Sequence, residues 1–258
     1  MPRQRTRIAP DVPRGVEFPI ATGVAELRDE PDGTTFLWVN GVPSSPLDPD
    51  PGELAFEYMR HLSAAVDAWG LPPRLLALHV GAAACAFPRH LAHRLPDSGH
   101  IAVDVDATLP ELVRTWWDLP RAPRLRIRAQ DGLEAVASRR DASLDLVVRD
   151  AFAGDTTPPA LAGDEWWAHA ARALRPGGLV LANVGTRPGD RTAAADAAAA
   201  REAFGEVVAI GEHAVLKGRR RGNVVLAAVA GGTLDLAALR RYAGSAPLPT
   251  GVATDWRG

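Results

Sequence analysis

Residues 75–106 constrain the fold of this chain more than any other stretch. Leu75 to Val80 is an unbroken apolar run, long enough for one buried strand. A turn of small residues follows at Gly81-Ala82-Ala83-Ala84, and the spacing then predicts a helix over Ala86 to Arg94. A second apolar run, Ile101 to Val105, ends among the carboxylates of Asp104 and Asp106. Strand, tight turn, helix, strand and acid is the layout of a nucleotide or nucleoside crevice. The turn brings backbone N–H groups close to a ligand, and an acid ending the second strand accepts bonds from both ribose hydroxyls. Gly81 is the only glycine of the turn, so no G-x-G-x-x-G is present. That disfavours a pyrophosphate on the helix N-terminus and fits a nucleoside-bearing ligand without phosphates. A buried βαβ unit with no ligand gives much the same letters, and at this point both readings stand.

The flanking chain supplies the rest of an α/β protein. Residues 1–15 carry three prolines and four arginines and are expected to form a poorly ordered tail. Val24–Arg28, the turn Pro31-Asp32-Gly33 and Thr35–Val39 read as a β-hairpin, with a further turn at Asn40-Gly41. Pro43 to Gly52 holds four prolines and is expected to be a loop. Glu53 to Trp69 places Leu54, Phe56, Met59, Leu62, Val66 and Trp69 on one helix face. Beyond Asp106, helices are predicted over 109–118, 133–138, 164–174 and 193–204. Strands are predicted over 125–129, 144–148, 179–184, 207–211 and 224–229, the last two forming an antiparallel hairpin. Alternating strands and helices imply a mostly parallel sheet covered on both faces. The expected fold class is thus an α/β protein with a mostly parallel, seven-stranded sheet, helices on both faces and a small N-terminal β-hairpin region before it. Its expected division is an N-terminal tail and small β-hairpin region over residues 1–50, the α/β domain over 51–243, and an irregular tail over 244–258.

Composition excludes several function classes. Net charge is −2, so no global charge attracts nucleic acid or an anionic membrane. One cysteine, Cys85, cannot build a disulfide framework or a cysteine metal cluster. MPRQRTRIAP is basic without an apolar core, unlike a secretory signal, and no apolar stretch is long enough to span a bilayer. The expectation is a cytoplasmic protein without membrane or nucleic-acid partners.

Carboxylates end successive strands: Asp104 and Asp106 after the second, Asp131 after the third, Asp150 after the fourth. In an open parallel sheet the crevice lies beyond the strand C-termini, so these acids are expected to share one rim. Each alone also suits a helix cap, as Asp131 before Gly132-Leu133-Glu134 does.

With these motifs in place, the chain resembles the polyamine aminopropyltransferases, the spermidine synthase family, over roughly residues 20–230, a resemblance that implies a methyltransferase-like, Rossmann-type fold. The resemblance rests on Asn40-Gly41-Val42-Pro43, on Glu53-Leu-Ala-Phe-Glu-Tyr58, on the turn from His79 to Leu91, and on Val103-Asp-Val-Asp106. It continues through Gln130-Asp-Gly132, Asp145-Leu-Val-Val-Arg-Asp150 and Leu174-Arg-Pro-Gly-Gly178, and is most specific at Asp150-Ala-Phe-Ala-Gly-Asp-Thr-Thr-Pro158, which is similar to a gatekeeping loop. The resemblance implies decarboxylated AdoMet as co-substrate and a polyamine such as putrescine as acceptor, with no metal. It implies that Asp104 holds the ribose hydroxyls, that Asp131, followed by Gly132, holds the adenine amino group, and that Gly81 lies beside the amino-acid-derived chain. Asp150 becomes the general base, since a protonated amine must lose a proton before it attacks the carbon next to a sulfonium. The family's Asp-x-x-Asp pair is absent here, with Asp155 as a candidate replacement. Glu57 and Tyr58 are candidates for amine contacts, or equally a helix-surface pair. An AdoMet-dependent methyltransferase on a small molecule and a non-catalytic nucleoside-binding relative are the alternatives.

Other features carry no assigned chemistry. Cys85 and His79 are expected in the core, and Arg219-Arg220-Arg221 in a solvated hairpin loop. Trp116-Trp117 and Trp166-Trp167 are expected to pack one member of each pair on the sheet and leave the other partly exposed, part of the contact in an expected homodimer.

Overall fold

The computed structural model describes residues 11–31, 34–47, 49–154 and 156–258. The basic residues 1–10, the turn residues Asp32 and Gly33, and Asp155 lie outside the described residues.

Two sheets organise the chain. A four-stranded antiparallel sheet holds β1 (Glu17–Ile20), β2 (Gly23–Asp29), β3 (Thr35–Val39) and β4 (Val42–Leu47) in sequential order. The expected hairpin is its central pair, with Leu27 opposite Leu37. β4 occupies part of the segment expected as loop, and its prolines, Pro43 and Pro46, are tolerated because this strand is an edge with one side unpaired.

α1 (Glu57–Trp69) leads from this sheet into the larger one. It buries Met59, Leu62 and Val66 as the periodicity requires and ends at Gly70, whose φ of 83° gives the left-handed cap that favours glycine. It starts four residues later than expected. The Phe56 backbone is extended, and its ring packs between Phe36 of β3 and Tyr58, at centroid distances of 5.4 and 5.7 Å.

The larger sheet has eight strands in the order β12-β10-β11-β9-β8-β5-β6-β7. β5 (Leu76–Val80), β6 (Gly99–Asp104), β7 (Leu125–Ala129), β8 (Leu144–Arg149) and β9 (Leu174–Thr186) run parallel. β10 (Val208–Glu212), β11 (Gly222–Val229) and β12 (Thr250–Ala253) complete it with antiparallel pairings. α2 (Ala86–Arg94), α3 (Leu109–Trp116), α4 (Gly132–Ala137), α5 (Pro159–Ala162), α6 (Asp164–Ala173) and α7 (Arg191–Phe204) join the parallel strands and lead into β10. α8 (His213–Leu216) sits in the β10–β11 connection and α9 (Leu236–Ser245) precedes β12. Arg175 to Gly178, expected as a turn before its strand, is an irregular stretch within β9 where the pairing with β8 shifts register.

Three expectations are corrected. The sheet has an eighth strand because residues 244–258 are not irregular: the end of α9 and β12 lie within them, and Thr250–Ala253 pairs with β10. The strand is only four residues long and follows Pro247 and Pro249, so no period-2 signal announces it. Second, all four paired tryptophans are buried, Trp166 and Trp167 against α7 and the sheet, Trp116 and Trp117 under the N-terminal sheet. They offer no exposed ring for a subunit contact. Third, Asp106 does not reach the rim: it is buried and accepts from Thr108 and Leu109 N–H at the start of α3 and from the Thr22 N–H and hydroxyl, at 2.6–2.8 Å. Burial pushes its carboxyl up, but these donors outweigh that and hold it below the usual range. Asp106 therefore ties the small sheet to the large one.

From β5 the chain moves outward through β6 and β7, then returns to β8 on the other side. The C-terminal ends of β5 and β8 thus flank the point where strand order reverses, and a crevice opens there.

Candidate active site

A cavity of about 890 Å³ occupies this crevice, roofed by the N-terminal sheet. Gly81 fixes its floor. Its N–H donates to Val103 O at 3.0 Å, and the next strand is locked beside it by Asp150 N–H donating to Val80 O at 2.8 Å. The φ of Gly81 is +92°, and a Cβ there would lie 2.1 Å from the Asp150 carbonyl oxygen. Backbone meets backbone, so no side-chain rotation relieves the clash. Gly81→Ala is expected to cost about 1–3 kcal/mol in denaturant unfolding, from the positive φ alone, and more if β8 is displaced. A loss of less than about 0.5 kcal/mol would contradict this account of the turn.

The end of the cavity expected to take a nucleoside lies over β6 and β7. Asp104 Oδ2 accepts from the Ala82 and Ala83 N–H groups at 3.2 and 3.0 Å, and Oδ1 from the Asp106 N–H at 3.0 Å. A carboxylate has about four lone-pair directions. Among the described residues three are used, so one on Oδ1 stays open. Burial raises the Asp104 carboxyl and the backbone donors pull it down, with a net upward shift. Val105 is 68% exposed and lines the cavity, an apolar surface suited to a flat base. Asp131 both caps α4, its Oδ1 accepting from Leu133 and Glu134 N–H at 2.9 and 3.0 Å, and lines the cavity. Capping the helix thus leaves the side chain at the crevice. Gly132 is a packing requirement, since a Cβ would lie 2.4 Å from Val80 Cγ1.

The opposite end centres on Asp150. Its Oδ2 accepts from the Tyr58 hydroxyl at 3.0 Å and its Oδ1 from Asn183 Nδ2 at 2.9 Å. Burial lifts the Asp150 carboxyl above the usual carboxylate range, although both donors favour its charged form. Tyr58 is pushed well above its ordinary value by burial and by the Asp150 charge, so it stays a donor. Tyr58 is thus no helix-surface residue. Neither is Glu57, which lines the cavity near Glu212 at the end of β10. Burial and then the Glu212 charge raise the Glu57 carboxyl. His61 Nε2 stands 3.7 Å from Glu57 Oε1, and His61 Nδ1 meets the Tyr242 hydroxyl at 2.7 Å. Burial and nearby Arg60 push His61 down to about 4, so it is neutral at pH 7. Cys85 and His79 are buried, and burial pushes the Cys85 thiol up to about 12, an unreactive thiol.

Asp104, Asp131, Asp150, Gly81, Gly132, Glu57 and Tyr58 therefore all reach one cavity. Asn183 and Glu212 escaped sequence reasoning. Asn183 did leave a signal: it is the one polar side chain in the apolar run Leu179–Val184, and a buried polar residue in a central strand is informative. Glu212 ends a strand that pairs with β11 and β12, far in sequence from Glu57 and Asp150, and nothing local marks it.

No family model matches the chain. A probable spermidine synthase from Corynebacterium glutamicum ATCC 13032 has a solved structure that superposes with a TM-score of 0.86 at 33% identity, covering 95% of this chain and 92% of that one. A polyamine aminopropyltransferase from Chromobacterium violaceum is 28% identical over 135 residues, 52% of this chain and 51% of the relative, so the matched stretch spans about half of that curated protein. Human methyltransferase-like protein 13, solved in complex with SAH, superposes with a TM-score of 0.59 at 20% identity over 74% of this chain and 94% of its own, a likeness of fold.

Proposed function

Because the chain belongs to the spermidine synthase family, we propose that it transfers an aminopropyl group from decarboxylated AdoMet to a small amine, with Asp150 as the general base. The observation that carries this reading is that two carboxylates line one cavity, Asp150 held by the Tyr58 hydroxyl and the Asn183 amide, and Asp104 held by backbone N–H groups at the turn after β5. Asp104 takes a ribose hydroxyl, Val105 lies along the base, and Asp131 faces the adenine amino group. The reacting carbon then lies between Gly81 and Asp150.

An ammonium drawn toward Asp150 gives one N–H proton to that carboxylate. Its freed lone pair attacks the methylene carbon next to the sulfonium. The C–S bond breaks, its electron pair passes to sulfur, and methylthioadenosine leaves as a neutral thioether. A carboxylate with a raised pKa is a stronger base than an ordinary one, which suits removal of a proton from an amine. Tyr58 and Asn183 hold it in one orientation, so the proton is accepted along a fixed line.

The test is parallel calorimetric titration with decarboxylated AdoMet, AdoMet and methylthioadenosine, followed by chromatographic detection of methylthioadenosine release with putrescine, longer polyamines and primary monoamines. Tighter binding of decarboxylated AdoMet and amine-dependent release of methylthioadenosine are expected. Preference for AdoMet moves the assignment to methyl transfer. Binding without release under any amine moves it to a non-catalytic nucleoside-binding protein.

A further inference from the structure

The acceptor end of the cavity holds a cation of its own. Arg220, from the β10–β11 connection, reaches over the cavity and forms an ion pair with Glu212. Glu212 lies close enough to Glu57, the residue next to Tyr58, for its charge to act on that carboxyl, and Tyr58 donates to Asp150. The order along the wall is therefore Asp150, Tyr58, Glu57, Glu212, Arg220. The near end is built for one ammonium: besides the Asp150 carboxylate, Asn183 is 1% exposed, lines the cavity, and its Oδ1 has no partner among the described residues. Its Nδ2 is committed to Asp150, which fixes that oxygen as an acceptor for an N–H from the cavity.

The far end differs. The charge of Glu212 is balanced by the Arg220 guanidinium, and Glu57 is biased toward its neutral form by burial and by Glu212. Arg187 and Arg221 also line this side. A second ammonium arriving here must displace a guanidinium to reach the carboxyl pair. An uncharged tail meets no such competitor.

We propose that Arg220 is an intramolecular competitor for the far end of the acceptor and so determines specificity, favouring amines with a single ammonium over diamines. The inference rests on the aminopropyl-acceptor reading of this cavity, but its test does not require transfer. Arg220 is 58% exposed at its side chain, so Arg220→Gln removes the guanidinium without opening the core. The affinities of putrescine and butylamine for the wild type, Arg220→Gln and Glu212→Gln are measured by calorimetry in the presence of methylthioadenosine. Putrescine is expected to bind Arg220→Gln about fivefold more tightly than wild type, the scale of a partly exposed ion pair, while butylamine changes by less than about twofold. Glu212→Gln is expected to weaken putrescine relative to butylamine, since the guanidinium then stands alone.

An unchanged ratio of putrescine to butylamine affinity in Arg220→Gln overturns the proposal. So does failure of both amines to bind any of the three proteins. Failure of the aminopropyl-transfer reading shows separately, as bound amine with no release of methylthioadenosine from decarboxylated AdoMet.

Discussion

Asp150→Asn is expected to lower methylthioadenosine release by about 10²–10⁴-fold, the usual contribution of a general base, while decarboxylated AdoMet binds with little change. The separation follows from geometry. Asp150 accepts from Tyr58 and Asn183 at one end of the cavity, whereas Asp104 and Asp131, proposed to hold the nucleoside, follow other strands. The substitution keeps the shape but not the acceptor count: an asparagine has one carbonyl oxygen for two donors, so Tyr58 or Asn183 loses its partner. An unsatisfied buried donor costs about 1–3 kcal/mol, so unfolding must be followed alongside turnover. The pH profile supplies a second readout. The Asp150 carboxyl is raised by burial, so its basic form is lost as pH falls through a value above the ordinary carboxylate range. Wild-type kcat is expected to decline on the acid side at that displaced position, and the residual activity of Asp150→Asn to lack that limb. A variant retaining more than about a tenth of wild-type turnover, or the same acid limb, would remove Asp150 from the role of base.

The parts of this site that were legible in the sequence are those written along the chain. A run of apolar residues that ends in an acid states both that a strand is buried and where its C-terminus lies. Asp104, Asp131 and Asp150 follow directly, because an open parallel sheet brings such ends to one edge. Asp106 shows the limit of that argument. It also follows the second strand, but two residues past Asp104 the chain has turned toward α3, and the carboxylate closes on Thr22, Thr108 and Leu109. The partners of Asp150 were not legible. Tyr58 lies 92 residues before it and Asn183 lies 33 after it, and only the sheet order brings them together. Glu57 was visible as a polar residue on α1, but its meaning depends on Glu212, which arrives by an antiparallel pairing near the other end of the chain. The arginine run at 219–221 read as solvated, and Arg220 is largely exposed, yet its guanidinium is held by Glu212 at the cavity. Exposure and function are compatible for a side chain this long.

Arg149→Met is expected to destabilise the protein by about 3–5 kcal/mol, the largest loss of stability available outside the apolar core. Arg149 precedes Asp150 on β8, and because successive side chains of a strand point to opposite faces, it leaves the cavity and enters the layer beneath α6 and α7. There it is fully buried and forms a bidentate pair with Asp196 of α7, one arm at 3.0 Å from Asp196 Oδ1, and also donates to the Leu161 carbonyl of α5. The guanidinium lies 4.8 and 5.2 Å from the ring centroids of Trp166 and Trp167, and Trp167 Nε1 donates to the same Asp196 oxygen at 2.7 Å. Methionine fills the space but leaves the Asp196 carboxylate buried with the Trp167 indole as its remaining partner, and that stranded charge is where most of the cost arises. Arg149→Met combined with Asp196→Leu removes both charges, so it is expected to recover part of the loss in denaturant unfolding. Per folded molecule, turnover of the single variant is expected to stay within about threefold of wild type, because the opposite face of β8 is unchanged. A double variant no more stable than the single one would locate the cost in lost packing against the two indoles rather than in the stranded carboxylate. Those outcomes separate the two ways in which one buried arginine can hold three helices against the strand that carries the proposed base.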